Sequence, residues 1–274
     1  MDPSDALLTD QVAIVTGGGQ GIGEGAAVAL ARFGAHVVIA DKNAETAEAV
    51  AQQVRGLGRE ALAVAVDVRD LDQVQAMVER TTAELGRVDI LVNNTGGTRR
   101  AAFLDLAPRG WDRHVELNFR GLFGPTDAAV RAMIEGGRGG SVINVASIEG
   151  TRAAPNYSVY AACKAGMINF TRTLAVELAE HEIRVNCIAP DYTSTPGIEG
   201  LEGATPERIA AAEGAIPLAR RGNIAETAGP IVFLASRMAG YVTGATIPVD
   251  GGTWASGGWV RDRDGEWANM PVID

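Results

Sequence analysis

Cysteine and histidine are scarce in this chain: two cysteines, Cys163 and Cys187, and three histidines, His36, His114 and His181, well separated along the sequence. Two lone cysteines give no disulfide framework and no CxxC pair, which suits a reducing compartment, and each is read as a small hydrophobe in the core. HExxH and paired CxxC spacings are missing too, so no metal site is expected. Positive charge is the minority: 24 Lys and Arg stand against 34 Asp and Glu, a formal charge of −10. Such a surface repels phosphate backbones and anionic lipid, so neither nucleic acid nor a membrane is an expected partner. No apolar run reaches the roughly 18 residues of a transmembrane helix. The opening MDPSDALLTD has neither the basic region nor the apolar stretch of a signal peptide, and a cytoplasmic location is expected. There is no repeat, low-complexity tract or Pro/Ser-rich linker, so residues 1–274 are read as a single domain.

What is present is a rhythm. Short β-branched runs near 12–16, 36–40, 62–66, 88–92, 141–146, 184–188 and 245–249 alternate with Ala-rich stretches of helical period near 21–33, 44–56, 70–85, 108–135, 157–180 and 224–236. With 46% apolar residues the chain can bury a sizeable core. The alternation predicts an α/β fold, a doubly wound parallel sheet of about seven strands flanked by helices on both faces. The least regular segment, 190–217, is glycine-rich and long enough to be a binding loop or lid, or else an insert without structure of its own.

Chemistry-bearing residues cluster where the strands should end. TGGGQGIG at 16–23 follows the first strand and opens a helix. Glycines at 17, 21 and 23 let the backbone turn tightly and approach a pyrophosphate, held on the N–H groups and positive dipole of the helix start. Asp41, 18 residues beyond Gly23, closes the second strand, where a carboxylate accepts hydrogen bonds from both ribose hydroxyls and repels a 2′-phosphate. NAD is therefore favoured over NADP, although the neighbouring Lys42 could soften that preference. Asp67 and Val68 end the third strand facing the adenine, with Asp70 the better helix cap, and NNTG at 93–96 ends the fourth.

In YSVYAACK at 157–164, Tyr160 and Lys164 are spaced i, i+4 and so share one helix face. A phenol ordinarily titrates near pH ~10, but a nearby ammonium and an oxidised nicotinamide ring both favour phenolate, which can take a proton from an alcohol as hydride leaves its carbon. Tyr157, two turns from Lys164, is read as lining the pocket. Ser147 closes the fifth strand and could reach the same substrate oxygen. Asn118 is an unusual choice inside a predicted helix and calls for a local kink or an ordered water.

Together these residues resemble the short-chain dehydrogenases/reductases: TGGGQGIG, Asp41, Asp67, NNTG, Asn118, Ser147, Tyr160-x-x-x-Lys164, RVNCIAP, Thr195 and YVTGATIPVDGG at 241–252. Each motif is moderate and their common order is strong. The resemblance implies a Rossmann-type sheet, hydride transfer to or from a nicotinamide, and a homotetramer. It implies a catalytic set of Asn118, Ser147, Tyr160 and Lys164. In that set Tyr160 is the general acid/base and Ser147 holds the substrate oxygen. Lys164 lowers the Tyr160 pKa and holds the nicotinamide ribose, and Asn118 fixes a water in a proton relay. The implied cofactor contacts are Gly17, Gln20, Gly21, Ile22, Gly23, Asp41, Asp67, Val68, Asn94, Gly96, Tyr160, Lys164, Pro190, Thr193 and Thr195, with the two threonines at the carboxamide.

The chain departs from the usual pattern at Thr95, where Ala is common, and at Asp191, where Gly is common and a left-handed backbone is in question. Cys163 fills a slot that is often Ser, read as packing rather than redox. Arg99 and Arg100 at the cleft mouth are open to two readings, a grip on an anionic group or plain solvation. The tail beyond 252 carries Trp254, Trp259 and Trp267 and is read as docking over a cleft, its own or a neighbour's. Residues Ala161, Ala165, Met167, Ile168, Phe170, Leu174, Val176 and Leu178 make the 157–180 helix apolar almost all round, in keeping with an oligomer. The reading is an NAD-dependent oxidoreductase of a secondary alcohol or its ketone, on an apolar cyclic (steroid- or terpenoid-like) or acyl substrate. The alternatives are an NADPH-dependent 3-oxoacyl reductase and a catalytically silent dinucleotide-binding sensor, which would lack one of the four catalytic residues.

Overall fold

β-branched residues crowd their own helical turns and fit a pleated, doubly covered surface, and the seven β-branched runs do form strands. In the computed structural model, which describes residues 2–195, 205–262 and 265–269, these are β1 (Val12–Thr16), β2 (His36–Asp41), β3 (Ala61–Ala65), β4 (Ile90–Asn93), β5 (Gly140–Val145), β6 (Ile183–Pro190) and β7 (Thr246–Val249). They make one parallel sheet in the order β3-β2-β1-β4-β5-β6-β7. Between and after them run α1 (Gly21–Arg32), α2 (Ala44–Gly56), α3 (Leu71–Leu85), α4 (Pro108–Val115), α5 (Gly121–Gly136), α6 (Ser158–Glu177), α7 (Pro206–Gly214), α8 (Ile224–Ala235) and the single turn α9 (Thr253–Ser256). The fold is thus a doubly wound, Rossmann-like α/β sheet.

Successive strand residues point to opposite faces, and the core divides accordingly. Ala13, Val15, Val37, Ile39, Ile90 and Val92 pack with α1, α2 and α8 on one side. Ile14, Val38, Ala40, Leu91 and Val142 pack with α3, α5 and α6 on the other. Each large aliphatic side chain so buried contributes about 1.5–3 kcal/mol. The chain leaves β1 for β2 and β3 on one side and returns to β4 on the other, pairing Ala13 with Ile90 and Thr16 with Asn93. That reversal opens a crevice beyond the carboxyl ends of β1 and β4, the place where such sheets bind ligands.

Helix starts follow their caps. Asn43 and Asp70 cap α2 and α3 through their side chains, the latter as the sequence leads one to expect. The 108–135 stretch is not one continuous helix. Glu116–Arg120 forms a π turn between α4 and α5. Its cause is Asn118, whose Nδ2 donates to the His114 carbonyl at 3.0 Å. An unbroken α-helix would give that carbonyl to the Asn118 backbone N–H, so the ladder widens there. The 190–217 segment also contains more order than its composition suggests, since α7 lies within it; residues 196–204 fall outside the described part. In the tail, β8 (Val260–Arg261) and β9 (Trp267–Ala268) make a small antiparallel hairpin, with the Arg261 guanidinium 4.5 Å over the Trp267 ring. Trp254, Trp259 and Trp267 are 55%, 47% and 46% exposed.

Candidate active site

The turn from β1 into α1 is shaped by glycine at two places. Gly17 sits at φ +61°, and a Cβ on Gly23 would lie 2.1 Å from the Gly17 carbonyl oxygen, a contact no side chain can make. Asn94 braces this turn from β4: its Nδ2 donates to the carbonyls of Thr16 (3.1 Å) and Gly17 (3.0 Å), while the Thr16 hydroxyl accepts from the N–H groups of Asn94 (3.1 Å) and Thr95 (3.2 Å). Gln20 starts α1 without a side-chain cap, leaving the first N–H groups, those of Gly21, Ile22 and Gly23, turned to the crevice end of the helix. Beside the turn, Asp41 accepts from the Gly19 N–H (3.1 Å) and the Asn43 N–H (3.0 Å). Thr195 closes over the same turn: a Cβ on Gly21 would lie 3.6 Å from it. A cradle of backbone donors ending at a carboxylate fits the pyrophosphate and ribose of a dinucleotide.

Asp67 is held differently from its neighbours. Its carboxylate is tied to Arg69, with Nε at 2.8 Å and Nη2 closer still, and its N–H donates to Gln73 Oε1 at 3.0 Å. The Arg69 guanidinium holds the Asp67 carboxyl down at about 2. Val68 is buried beneath Gly121.

Around the predicted acid/base pair the side chains converge. Tyr160 and Lys164 lie on one face of α6, with Lys164 Nζ 5.7 Å from the Tyr160 ring centroid and donating to the Val145 carbonyl at 2.7 Å. Ser147, directly after β5, accepts from the Glu149 N–H (3.2 Å), donates to the Pro190 carbonyl (3.5 Å) and hydrogen-bonds Tyr160. Asn118 is 1% exposed and fully engaged: Oδ1 accepts from the Gly97 N–H at 2.9 Å, and Nδ2 donates to the Gly97 and His114 carbonyls. It thereby pins the loop after NNTG, bringing Gly96 close to both Asn118 and Lys164.

Comparison with known proteins places this arrangement. A family model described as Enoyl-(Acyl carrier protein) reductase matches residues 17–253. The 2-dehydro-3-deoxy-D-gluconate 5-dehydrogenase of Escherichia coli K12 is 40% identical over 245 residues, covering 89% of this chain and 96% of its own. The chain belongs to the short-chain dehydrogenase/reductase family. A 3-oxoacyl-[acyl-carrier-protein] reductase from Thermotoga maritima is 38% identical over 89% of this chain and 98% of its own. Among solved structures, carveol dehydrogenase from Mycobacterium avium in complex with NAD superposes with TM-score 0.86 at 31% identity, covering 90% of this chain and 99% of that one. As a member of the short-chain dehydrogenase/reductase family, the protein is a nicotinamide-dependent oxidoreductase of alcohol or ketone substrates.

The surroundings of Tyr160 add to the sequence reading, and the Asp191 backbone differs from it. Around Tyr160 burial is the largest influence. Burial holds the phenol above its ordinary value, the Ser147 hydrogen bond opposes it, and Glu149, Cys163 and Tyr157 add to the rise. Burial also lowers Lys164 itself to about 8. Asp191 does not adopt a left-handed backbone; it continues β6, its N–H donating to Val249 O at 3.2 Å, so any residue could take its φ. Thr193 is buried, its hydroxyl against Thr227 (3.3 Å) and the Asp191 carbonyl (3.4 Å). Cys163 packs as expected, its thiol 3.7 Å from the His114 carbonyl. Arg99 and Arg100 are exposed. Among the described residues there is no cluster able to hold a metal and no helix long and apolar enough to cross a membrane.

One chain of residues escaped the sequence reading. Asn93 Nδ2 donates to Thr126 Oγ1 (2.9 Å) and Asn144 Oδ1 (3.0 Å), and Asn144 Nδ2 donates to Thr171 Oγ1 (2.9 Å). All four are at most 4% exposed. This polar ladder ties β4 and β5 to α5 and α6 and so fixes the helix that carries Tyr160 and Lys164. Polar residues inside apolar strands, Asn93 and Asn144, were the available signal.

Proposed function

We propose that the protein is an NAD-dependent dehydrogenase/reductase of a secondary alcohol or its ketone, acting on an apolar cyclic or acyl substrate. The observation that carries this reading is the convergence of Tyr160, Lys164 and Ser147 at the carboxyl end of the sheet, beside a glycine cradle ending in Asp41. The dinucleotide, when bound, accepts or gives hydride. Gly17, Gln20, Gly21, Ile22 and Gly23 would hold its pyrophosphate and Asp41 its adenosine ribose. Asp67 and Val68 would meet the adenine, Asn94 and Gly96 would shape the floor, and Pro190, Thr193 and Thr195 would flank the nicotinamide.

In the oxidative direction the Tyr160 hydroxyl, as phenolate, takes the substrate hydroxyl proton while the carbinol C–H bond breaks, and Ser147 donates a hydrogen bond to the same oxygen as it gains carbonyl character. Lys164, held by Val145, presents a cation at that spot, and Asn118 keeps the loop beneath it in place. The Asp41 carboxylate at the end of β2 would repel a 2′-phosphate, which supports NAD. The second reading, an NADPH-dependent 3-oxoacyl reductase, is favoured by the exposed pair Arg99 and Arg100 and by the Thermotoga relative. The exposed Val176 (79%) on α6 and Phe123 (40%), packed on Phe119 and Phe170, support a homotetramer built on these helices. Measuring kcat/KM with NAD and NADP over steroids, terpenols, sugars and hydroxyacyl thioesters tests the whole reading. A preference of tenfold or more for NADP would overturn the role given to Asp41.

A further inference from the structure

Directly beyond Ser147 lies a knot of charge that the proposed chemistry does not use. Arg152 donates through Nη2 to Glu149 Oε1 at 2.8 Å, and the same nitrogen is 3.7 Å from Asp191 Oδ2. The three side chains are only 36%, 23% and 16% exposed. They belong to different parts of the fold. Glu149 and Arg152 sit on the loop that follows β5, whose Gly150 packs so tightly against α6 that a Cβ there would lie 2.7 Å from the Lys164 carbonyl carbon. Asp191 directly follows β6, next to Pro190, which accepts from Ser147. Thr253, the last residue of the family match and the first of α9, lowers the carboxyl pKa of the same Asp191.

We propose that Arg152 is a positioning residue, bridging Glu149 and Asp191 so that the loop carrying Ser147 is held to the end of β6 and the Glu149 carboxylate is neutralised beside Tyr160. The inference rests on the reading of Tyr160 as the acid/base.

The charges around the phenol can be enumerated. Lys164 Nζ lies 5.7 Å from its ring centroid, Ser147 hydrogen-bonds it, and Glu149, Cys163 and Tyr157 act on it through their fields. Of these, Glu149 is the anion at neutral pH, and its field works against phenolate. Arg152 is the cation paired to it. Burial works against the Arg152 charge, but Glu149, Asp191 and Asp250 together outweigh it and raise the guanidinium pKa above its ordinary value. Asp191 is pushed up by burial and held down by Thr253 and Arg152, so the bridge also stabilises an otherwise costly carboxylate at the root of the C-terminal extension.

The test is a spectroscopic titration that needs no substrate. Tyrosinate absorbance is followed against pH in the full-length chain, and the curve of the same variant carrying Tyr160→Phe is subtracted from it, isolating the Tyr160 phenol. With Glu149 unpaired in Arg152→Gln, the midpoint is expected to rise by about half to one pH unit. Arg152→Lys should restore most of the wild-type value, Glu149→Gln should lower it, and the double variant should fall at or below wild type. A midpoint that does not rise in Arg152→Gln, or does not fall in Glu149→Gln, overturns the proposal. If Arg152→Gln fails to fold, the Glu149→Gln arm decides alone. Loss of turnover with every substrate would instead count against the proposed function, and the titration would still read.

Discussion

Replacing Lys164 by methionine should make the chain more stable while removing its activity. Lys164 is 3% exposed, and burial lowers it from 10.5 to about 8. In the unfolded chain it titrates at its ordinary value, so at pH 7 the folded protein carries a charge it disfavours by on the order of 3 kcal/mol. Against this stands one charge-assisted hydrogen bond to the Val145 carbonyl, whose loss costs about 1–2 kcal/mol. Methionine fills a similar volume without the charge. The net expectation is a gain of about 1–2 kcal/mol at pH 7, read as a higher urea midpoint with an unchanged slope. The sign can be checked with pH. A lysine whose folded pKa is lowered penalises folding most below about 8, and the penalty disappears as pH rises towards 10.5. The stability gap between Lys164→Met and wild type should therefore close over that window. A variant less stable than wild type at pH 7, or a gap that does not change with pH, would refute the reasoning.

Other consequences follow from the same geometry. Gly23→Ala should abolish cofactor binding by isothermal titration and lower Tm by several degrees, because its Cβ would collide with the Gly17 carbonyl at 2.1 Å. Asp41→Ala should weaken NAD binding and narrow or reverse the preference over NADP, a ratio of kcat/KM values that should move by at least about tenfold, some 1.4 kcal/mol. Asn144→Leu cuts the ladder that runs from Thr126 through Asn93 to Thr171 and should cost about 2–4 kcal/mol in chemical denaturation, since it strands buried partners. Asn118→Ala should release the Gly97 loop and reduce kcat more than it alters KM for NAD, measured by steady-state kinetics.

How far the sequence could be read depended on the range of the interaction. The strands and most helices were legible because their signals are local: β-branched runs, helical periodicity, and caps such as Asn43 and Asp70. The glycine turn, Asp41 and the Tyr160–Lys164 spacing were legible for the same reason. Asn118 advertised an irregularity, and a π turn stands there, because its amide competes for a carbonyl four residues back. Tertiary consequences were not legible. Spacing put Lys164 beside Tyr160 but could not show that burial would be the largest influence on both groups. Asp191 read as a strained substitution for glycine because its partners, Val249, Arg152 and Thr253, are distant in sequence. The Asn93–Asn144 ladder needs two strands and two helices assembled before any of its bonds exists.

The central claim is that the Tyr160 hydroxyl moves the substrate proton during hydride transfer. It is tested most directly by comparing wild type with Tyr160→Phe for NADH formation over the alcohol panel, with NAD affinity measured in parallel. The account predicts an unchanged Kd for NAD within a few-fold and turnover reduced by at least about a hundredfold. Turnover in Tyr160→Phe within a few-fold of wild type would contradict it.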